Sequence, residues 1–161
     1  MKDLDLFIIR HAIAEADQGL GDAARALTPK GRREFWAHIR KLADRVAVVG
    51  IATSPAVRAV QTAEMVALAC KIDRVVVRAE LDNDSATPES IAGLLDGLKG
   101  SWAVVGHNPS LAEALARLLG LDQPEFELKK GAVAALRRRK SAWTLRWYAA
   151  PGAKLLRGPG R

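Results

Sequence analysis

Short apolar runs alternate along this chain with longer amphipathic stretches, and each amphipathic stretch opens on one kind of dipeptide, a helix-capping residue followed by proline. The four openings are Thr28-Pro29, Ser54-Pro55, Thr87-Pro88 and Asn108-Pro109. A capping side chain satisfies an orphan N–H of the first turn, and proline, which has no N–H and a φ already near the helical value, suits the first helical position. Behind the openings apolar residues recur at helical spacing: Phe35/Ile39/Leu42, Val57/Val60, Ile91/Leu94/Leu95/Leu98 and Leu111/Leu115/Leu118/Leu119. Leu4 to Ile9, Val48 to Thr53 and Trp102 to Gly106 read as buried strands, and Arg74 to Arg78, centred on Val75-Val76-Val77, as a fourth. Ala132 to Leu136 and Trp143 to Tyr148 flank Arg137-Arg138-Arg139-Lys140 and read as a hairpin. Strands and helices in this alternation predict an α/β fold, a three-layer α/β/α sandwich with a mostly parallel central sheet and a C-terminal antiparallel hairpin. At 161 residues and 49% hydrophobic content, the whole of 1–161 is expected to form a single domain. Sheets of this class bind their ligands outside the carboxyl ends of the strands.

Composition removes several alternatives. Cys70 is the only cysteine, so no intrachain disulfide and no thiolate cluster can form, and a reducing compartment is expected. The residues from Lys2 to Phe7 mix charge with apolar residues, unlike a secretory leader, and no run approaches the ~18 apolar residues of a membrane span. A cytoplasmic protein without membrane association is the expectation. The net charge of +7 is uneven: Lys129 to Arg161 hold ten Lys and Arg and no acid, which leaves the preceding 128 residues at −3. A local basic run of this kind reads as a solvated hairpin turn, and nucleic acid is not an expected partner.

Polar residues with chemistry in them collect where the strands end. Arg10-His11 follows the first strand, Ser54-Pro55-Ala56-Val57-Arg58 the second, and Gly106-His107-Asn108-Pro109 the Trp102 run. Either histidine alone could be a simple exit residue, but both stand at strand ends, beside arginine or a helix start. His38, the third histidine, lies among Arg33, Arg40 and Lys41 and is expected to face solvent without a role. Cys70 is expected to pack as a small hydrophobe, and Lys71-Ile72-Asp73 after it form no phosphate cradle. No Walker pattern and no G-x-G-x-x-G is present. A metal site would place a cation among arginines, so neither metal nor cofactor is expected. Guanidinium forks match the non-bridging oxygens of a phosphoryl group two at a time, so the rim reads as an anion pocket.

Phe7-Ile8-Ile9-Arg10-His11-Ala12, Arg25-Ala26-Leu27-Thr28-Pro29-Lys30-Gly31, Ser54-Pro55-Ala56-Val57-Arg58-Ala59-Val60-Gln61-Thr62-Ala63 and Val104-Val105-Gly106-His107-Asn108-Pro109 together resemble the histidine phosphatase superfamily. Within it the chain is most similar to the short SixA-type phosphohistidine phosphatases, over roughly residues 4–150. The resemblance implies that His11 is a nucleophile that becomes transiently phosphorylated, while Arg10, Arg58 and His107 hold the phosphoryl oxygens. It also suggests Arg25 as a further substrate contact, although the same residue could lie free on a loop. Ala12 replaces a glycine common in the superfamily. Members that cleave phosphate esters place an acid after the third strand, where this chain has Glu80, Asp82 and Asp84, with Glu80 the first choice by position.

An alkoxide leaving group needs a proton from a positioned acid, whereas imidazole is stable on leaving, its conjugate acid having a pKa of about 6.5. A weakly defined acid therefore fits a phosphoramidate substrate. The short chain also has little room for segments that close over a small molecule. The expected partner is a phosphorylated substrate, with phosphohistidine on a protein preferred. A small-molecule phosphomonoesterase using the same residues, and a phosphate-binding module without turnover, are the alternatives.

Overall fold

The computed structural model describes residues 3–159, so Lys2 and Arg161 lie outside the described residues. Among the described residues seven strands join in one sheet: β1 (Leu4–Arg10), β2 (Gly50–Thr53), β3 (Val75–Val77), β4 (Trp102–Gly106), β5 (Val133–Arg139), β6 (Ala142–Ala149) and β7 (Leu156–Arg157). Their order is β3-β2-β4-β1-β5-β6-β7, with the first four mutually parallel and β5, β6 and β7 antiparallel. Four α-helices, α1 (Pro29–Leu42), α2 (Val57–Cys70), α3 (Pro88–Gly97) and α4 (Ser110–Leu118), follow β1 to β4 in turn. The chain has the expected α/β architecture, a parallel core with an antiparallel C-terminal addition. That addition is one strand longer than the expected hairpin, because two residues of β7 pair with Trp147 and Tyr148.

The sheet is covered on both faces, and β1 shows how the sequence achieves it. Period-two alternation sends Phe7 and Ile9 into one core with Phe35, Ile39, Val66 and Trp147, and Leu6 and Ile8 into the other with Leu94, Leu111 and Leu115. Helices α1 and α2 therefore lie on one face, and α3 and α4 on the other. β1 and β4 are neighbours whose following helices leave to opposite faces, so the crevice at their carboxyl ends is a topological switch point. His11 N–H donates to the Gly106 carbonyl (3.1 Å), pinning the two strand ends together there. β2 begins at Gly50 and not at Val48: Val49 is exposed, and a Cβ on Gly50 would come within 2.6 Å of the Trp102 ring.

Two helix starts follow the capping rule and two depart from it. Thr28 accepts from the Gly31 N–H (2.8 Å), and Thr87 and Ser90 form a reciprocal capping box. Ser54 and Asn108 are not caps: α2 starts at Val57 after Ala56, and α4 at Ser110 after Pro109, with no side-chain cap on either. His38 is buried and not solvent-facing, because it lies on the same helical face as Phe35, Ile39 and Leu42. Its Nε2 lies 3.2 Å from the Ala149 carbonyl oxygen, and burial lowers its pKa. Cys70 is half-buried at the end of α2, with its thiol pushed up to about 11 by burial. Among the described residues no helix is long and apolar enough to cross a membrane.

Candidate active site

At the switch point the structure brings together Arg10 and His11 from the end of β1, Arg58 from the first turn of α2 and His107 from the end of β4. Both histidine rings are buried, with centroids 5.0 Å apart, and Arg58 is only 2% exposed. His11 Nδ1 lies 2.7 Å from the Ala12 carbonyl oxygen, which can only accept, so Nδ1 carries the proton and Nε2 keeps its lone pair. His107 presents the other arrangement. Its Nε2 lies 2.7 Å from Ser54 Oγ, while its Nδ1 is buried with no partner in the protein. Ser54 Oγ accepts from the Ala56 N–H (3.2 Å) and has no acceptor for its own proton besides His107 Nε2, an arrangement that assigns the His107 proton to Nδ1.

The electrostatics keep both imidazoles neutral. Burial first, then His107, Arg58 and Arg10, push His11 down to about 3; burial, then Arg58 and Arg10, push His107 down to about 4. A third or fourth positive charge beside the Arg10 and Arg58 guanidiniums is strongly disfavoured, at about 1.4 kcal/mol per pKa unit. Arg10 Nη1 donates to the Leu128 carbonyl (3.1 Å), but its Nε, like Arg58 Nε and His107 Nδ1, is a buried donor without an acceptor in the protein. Buried donors are normally satisfied, and three orphaned ones on side chains that meet beside a free imidazole lone pair form a donor set of the kind an anion satisfies.

Helix α2 organises this arrangement through residues whose parts the sequence reading did not assign. Gln61 Oε1 accepts from the Leu27 N–H (2.8 Å), and Thr62 Oγ1 accepts from the Ala12 N–H (3.1 Å) while donating to the Arg58 carbonyl (2.8 Å). The Ser-Pro-x-x-Arg-Ala-x-Gln-Thr segment thus orients His107, supplies Arg58 and ties down the chain on either side of the loop between β1 and α1. Gly31 fixes the end of that loop, since a Cβ there would run into the Ile13 carbonyl oxygen. Because Thr62 takes the Ala12 N–H, Ala12 contributes its carbonyl to His11 and no backbone donor to the pocket.

Asp22, in the same loop, is the group at the site that nothing in the sequence singled out. Arg58 Nη1 donates to its carbonyl (2.8 Å) and Nη2 to its Oδ2 (2.9 Å), and Arg25 Nη1 donates to Oδ1 (3.0 Å). Hydrogen bonds from Arg25 and then Arg58 hold the Asp22 carboxyl below the usual carboxylate range. Arg25 also donates through Nε to the Glu15 carbonyl (2.7 Å) and stands partly exposed, joined to Arg58 through Asp22. Glu80 lies in the turn after β3, paired twice with Arg78 (2.9 and 3.3 Å), which holds its carboxyl below the usual range. Asp82 accepts from Ser85 Oγ (3.3 Å), and Asn83 Nδ2 lies 3.4 Å from Asp22 Oδ2.

No curated protein matches the chain in sequence. The sequence pattern of the histidine phosphatase superfamily (branch 1) matches residues 6–85. A candidate phosphohistidine phosphatase SixA from Agrobacterium tumefaciens is similar in structure at a TM-score of 0.81 and 28% identity, over 92% of this chain and 98% of that one. The protein histidine phosphatase SixA solved with tungstate gives 0.76 and 26%, over 92% and 97%. A candidate alpha-ribazole-5'-P phosphatase from Escherichia coli shares the fold at 0.71 and 22%, over 89% and 95%. The matched pattern runs from β1 past the turn that follows β3, on an architecture shared almost end to end, and on these grounds the chain belongs to the histidine phosphatase superfamily and is a phosphatase of that class.

Proposed function

We propose that the protein removes phosphoryl groups from phosphohistidine carried on other proteins, with His11 as the nucleophile. The observation that carries this reading is the three orphaned donors, Arg10 Nε, Arg58 Nε and His107 Nδ1, on the side chains that meet at the switch point with His11, whose Nε2 is free. In the proposed reaction Nε2 attacks phosphorus in line, the substrate imidazole, protonated on its other ring nitrogen, departs neutral with the electrons of its P–N bond, and His11 holds the phosphoryl group. Water then breaks the new P–N bond and releases phosphate. Charge in both transition states spreads over the equatorial oxygens, where fixed cationic and N–H donors stabilise it without reorganising. That a relative of this fold was solved with tungstate, a tetrahedral oxyanion, supports an anion pocket here.

Asp22 keeps the Arg58 fork in one orientation and links it to Arg25, which meets the substrate. Glu80, the candidate acid, is held ionised by Arg78, a state better matched to an imidazole leaving group than to an alkoxide. The stretch 78–87 between β3 and α3 holds only a short turn, so a protein-borne phosphohistidine meets no inserted cover. The deciding experiment compares kcat/KM for a phosphohistidine protein with phosphoserine, sugar phosphates and an aryl phosphate. A clear lead for phosphohistidine is expected. A lead for a small phosphate ester would instead assign Glu80 the acid's part in a phosphomonoesterase.

A further inference from the structure

At the end of the sheet away from the catalytic rim, β5, β6 and the segment containing β7 frame an open cavity of about 430 Å³ lined by Arg137, Arg139, Arg146 and Arg157, with Thr144 beside them and Leu145 and Pro159 as its apolar wall. Such a volume falls in the range of small-molecule sites. The register places it clearly: Asp5 pairs with Arg137 and Ile9 with Val133, so the cavity lies beside the start of β1 while Arg10 and His11 follow its end. That separation is roughly 16 Å along the strand. The cavity is therefore outside the site already described.

Its charge is unbalanced. Arg137 is held by Asp5 (2.7 and 3.0 Å) and Arg139 by Asp3 (3.3 Å), but Arg146 and Arg157 make no ion pair among the described residues. Four guanidiniums against two carboxylates leave two positive charges facing one concave space. The wall is also built closely. Gly158 N–H donates to the Arg146 carbonyl (2.8 Å), and a Cβ on Gly158 would run into the Leu145 carbonyl oxygen, so the chain after β7 lies flush against β6, with Arg157 opposite Trp147 and one position along from Arg146. No aromatic ring lines the cavity to stack a base.

We infer that this cavity is a second anion site, taking a small ligand with two or more phosphate groups, each gripped by a guanidinium fork. The ligand is bound and not turned over, since the one hydroxyl that lines the space, Thr144, donates to the Arg137 carbonyl (3.3 Å) and no general base lines it. An unhydrolysable probe, methylenebisphosphonate, titrated into the full chain at low salt tests it by calorimetry. Wild type is expected to bind two equivalents, one in each site. Arg146→Ala/Arg157→Ala should lose one of them, with affinity down about 100-fold at about tenfold per arginine, and unchanged turnover of an aryl phosphate. Arg58→Ala should keep that equivalent and lose the other. Arg157→Glu, on the exposed two-residue edge, repeats the test should the double variant not fold. One equivalent only, abolished by Arg58→Ala and indifferent to Arg146 and Arg157, would overturn the inference. So would tighter binding there of a hexaglutamate peptide or an oligonucleotide than of the bisphosphonate.

Discussion

Two pairs of helix starts in this molecule share one dipeptide signature and do different work. At α1 and α3 the threonine ahead of proline caps its helix: Thr28 takes the Gly31 N–H, and Thr87 exchanges bonds with Ser90. At α2 and α4 the polar residue ahead of proline is turned away from its helix. Ser54 reaches across to His107, and Asn108 donates to the Leu128 carbonyl (2.9 Å), whose oxygen also receives Arg10. The first pair obeys local rules because only local stability is at stake. The second pair breaks them where orienting an imidazole and a guanidinium matters more, and every buried orphan side-chain nitrogen or oxygen among the described residues lies on Arg10, Arg58, His107 or Asn108.

That contrast can be broken by mutation, and the largest effect is expected at Arg58. Arg58→Ala should lower kcat by about 10²–10³, the usual cost of one anion-stabilising donor, with secondary structure intact by circular dichroism. A loss below tenfold would take Arg58 out of the pocket. Next comes pH. Above pH 6.5 both site histidines are neutral whether folded or unfolded; below it the unfolded chain binds protons that the folded chain, with values near 3 and 4, refuses. Stability should therefore fall as pH drops from 6.5 to 5, by about 2 kcal/mol per histidine, read as a lower urea midpoint that His107→Asn partly restores. An unchanged midpoint over that interval would mean that the imidazoles are not held neutral.

Ser54→Ala should cost about tenfold in kcat, the order seen when an orienting partner of a functional histidine is removed. Imidazole nitrogen shifts of His107 should change tautomer in this variant, and Ser54→Thr should recover most of the rate. Activity loss without a change at His107 would make Ser54 merely structural. The smallest effect belongs to the scaffold pair: Thr87→Ala should lose about 1 kcal/mol of stability and leave kcat untouched, and a fall in kcat would erase the distinction between the pairs.

Much of this was legible in the residues themselves. Apolar alternation in β1 and capped amphipathic stretches gave the order of strands and helices, and strand-end positions gave Arg10, His11, Arg58 and His107 as neighbours. β7 escaped because two residues carry no period. His38 was misplaced because the cations around it masked its i+3 and i−4 relation to Phe35 and Leu42, which assigns it to the buried face. Asp22 could not have been found, since a loop acid gains its meaning only when folding sets it against Arg25 and Arg58. Glu80 was placed by chain position alone, and its pairing with Arg78 depends on the turn after β3.

The central claim is that two histidines 5.0 Å apart are unequal, His11 offering an electron pair and His107 a proton. Rapid quench with a phosphorus-labelled substrate tests it directly. An acid-labile, base-stable label on His11 is predicted, absent together with turnover in His11→Ala and slower to form in His107→Ala, where Arg10 and Arg58 still hold the oxygens. Label on His107, or near-wild-type turnover by His11→Ala, would contradict the account.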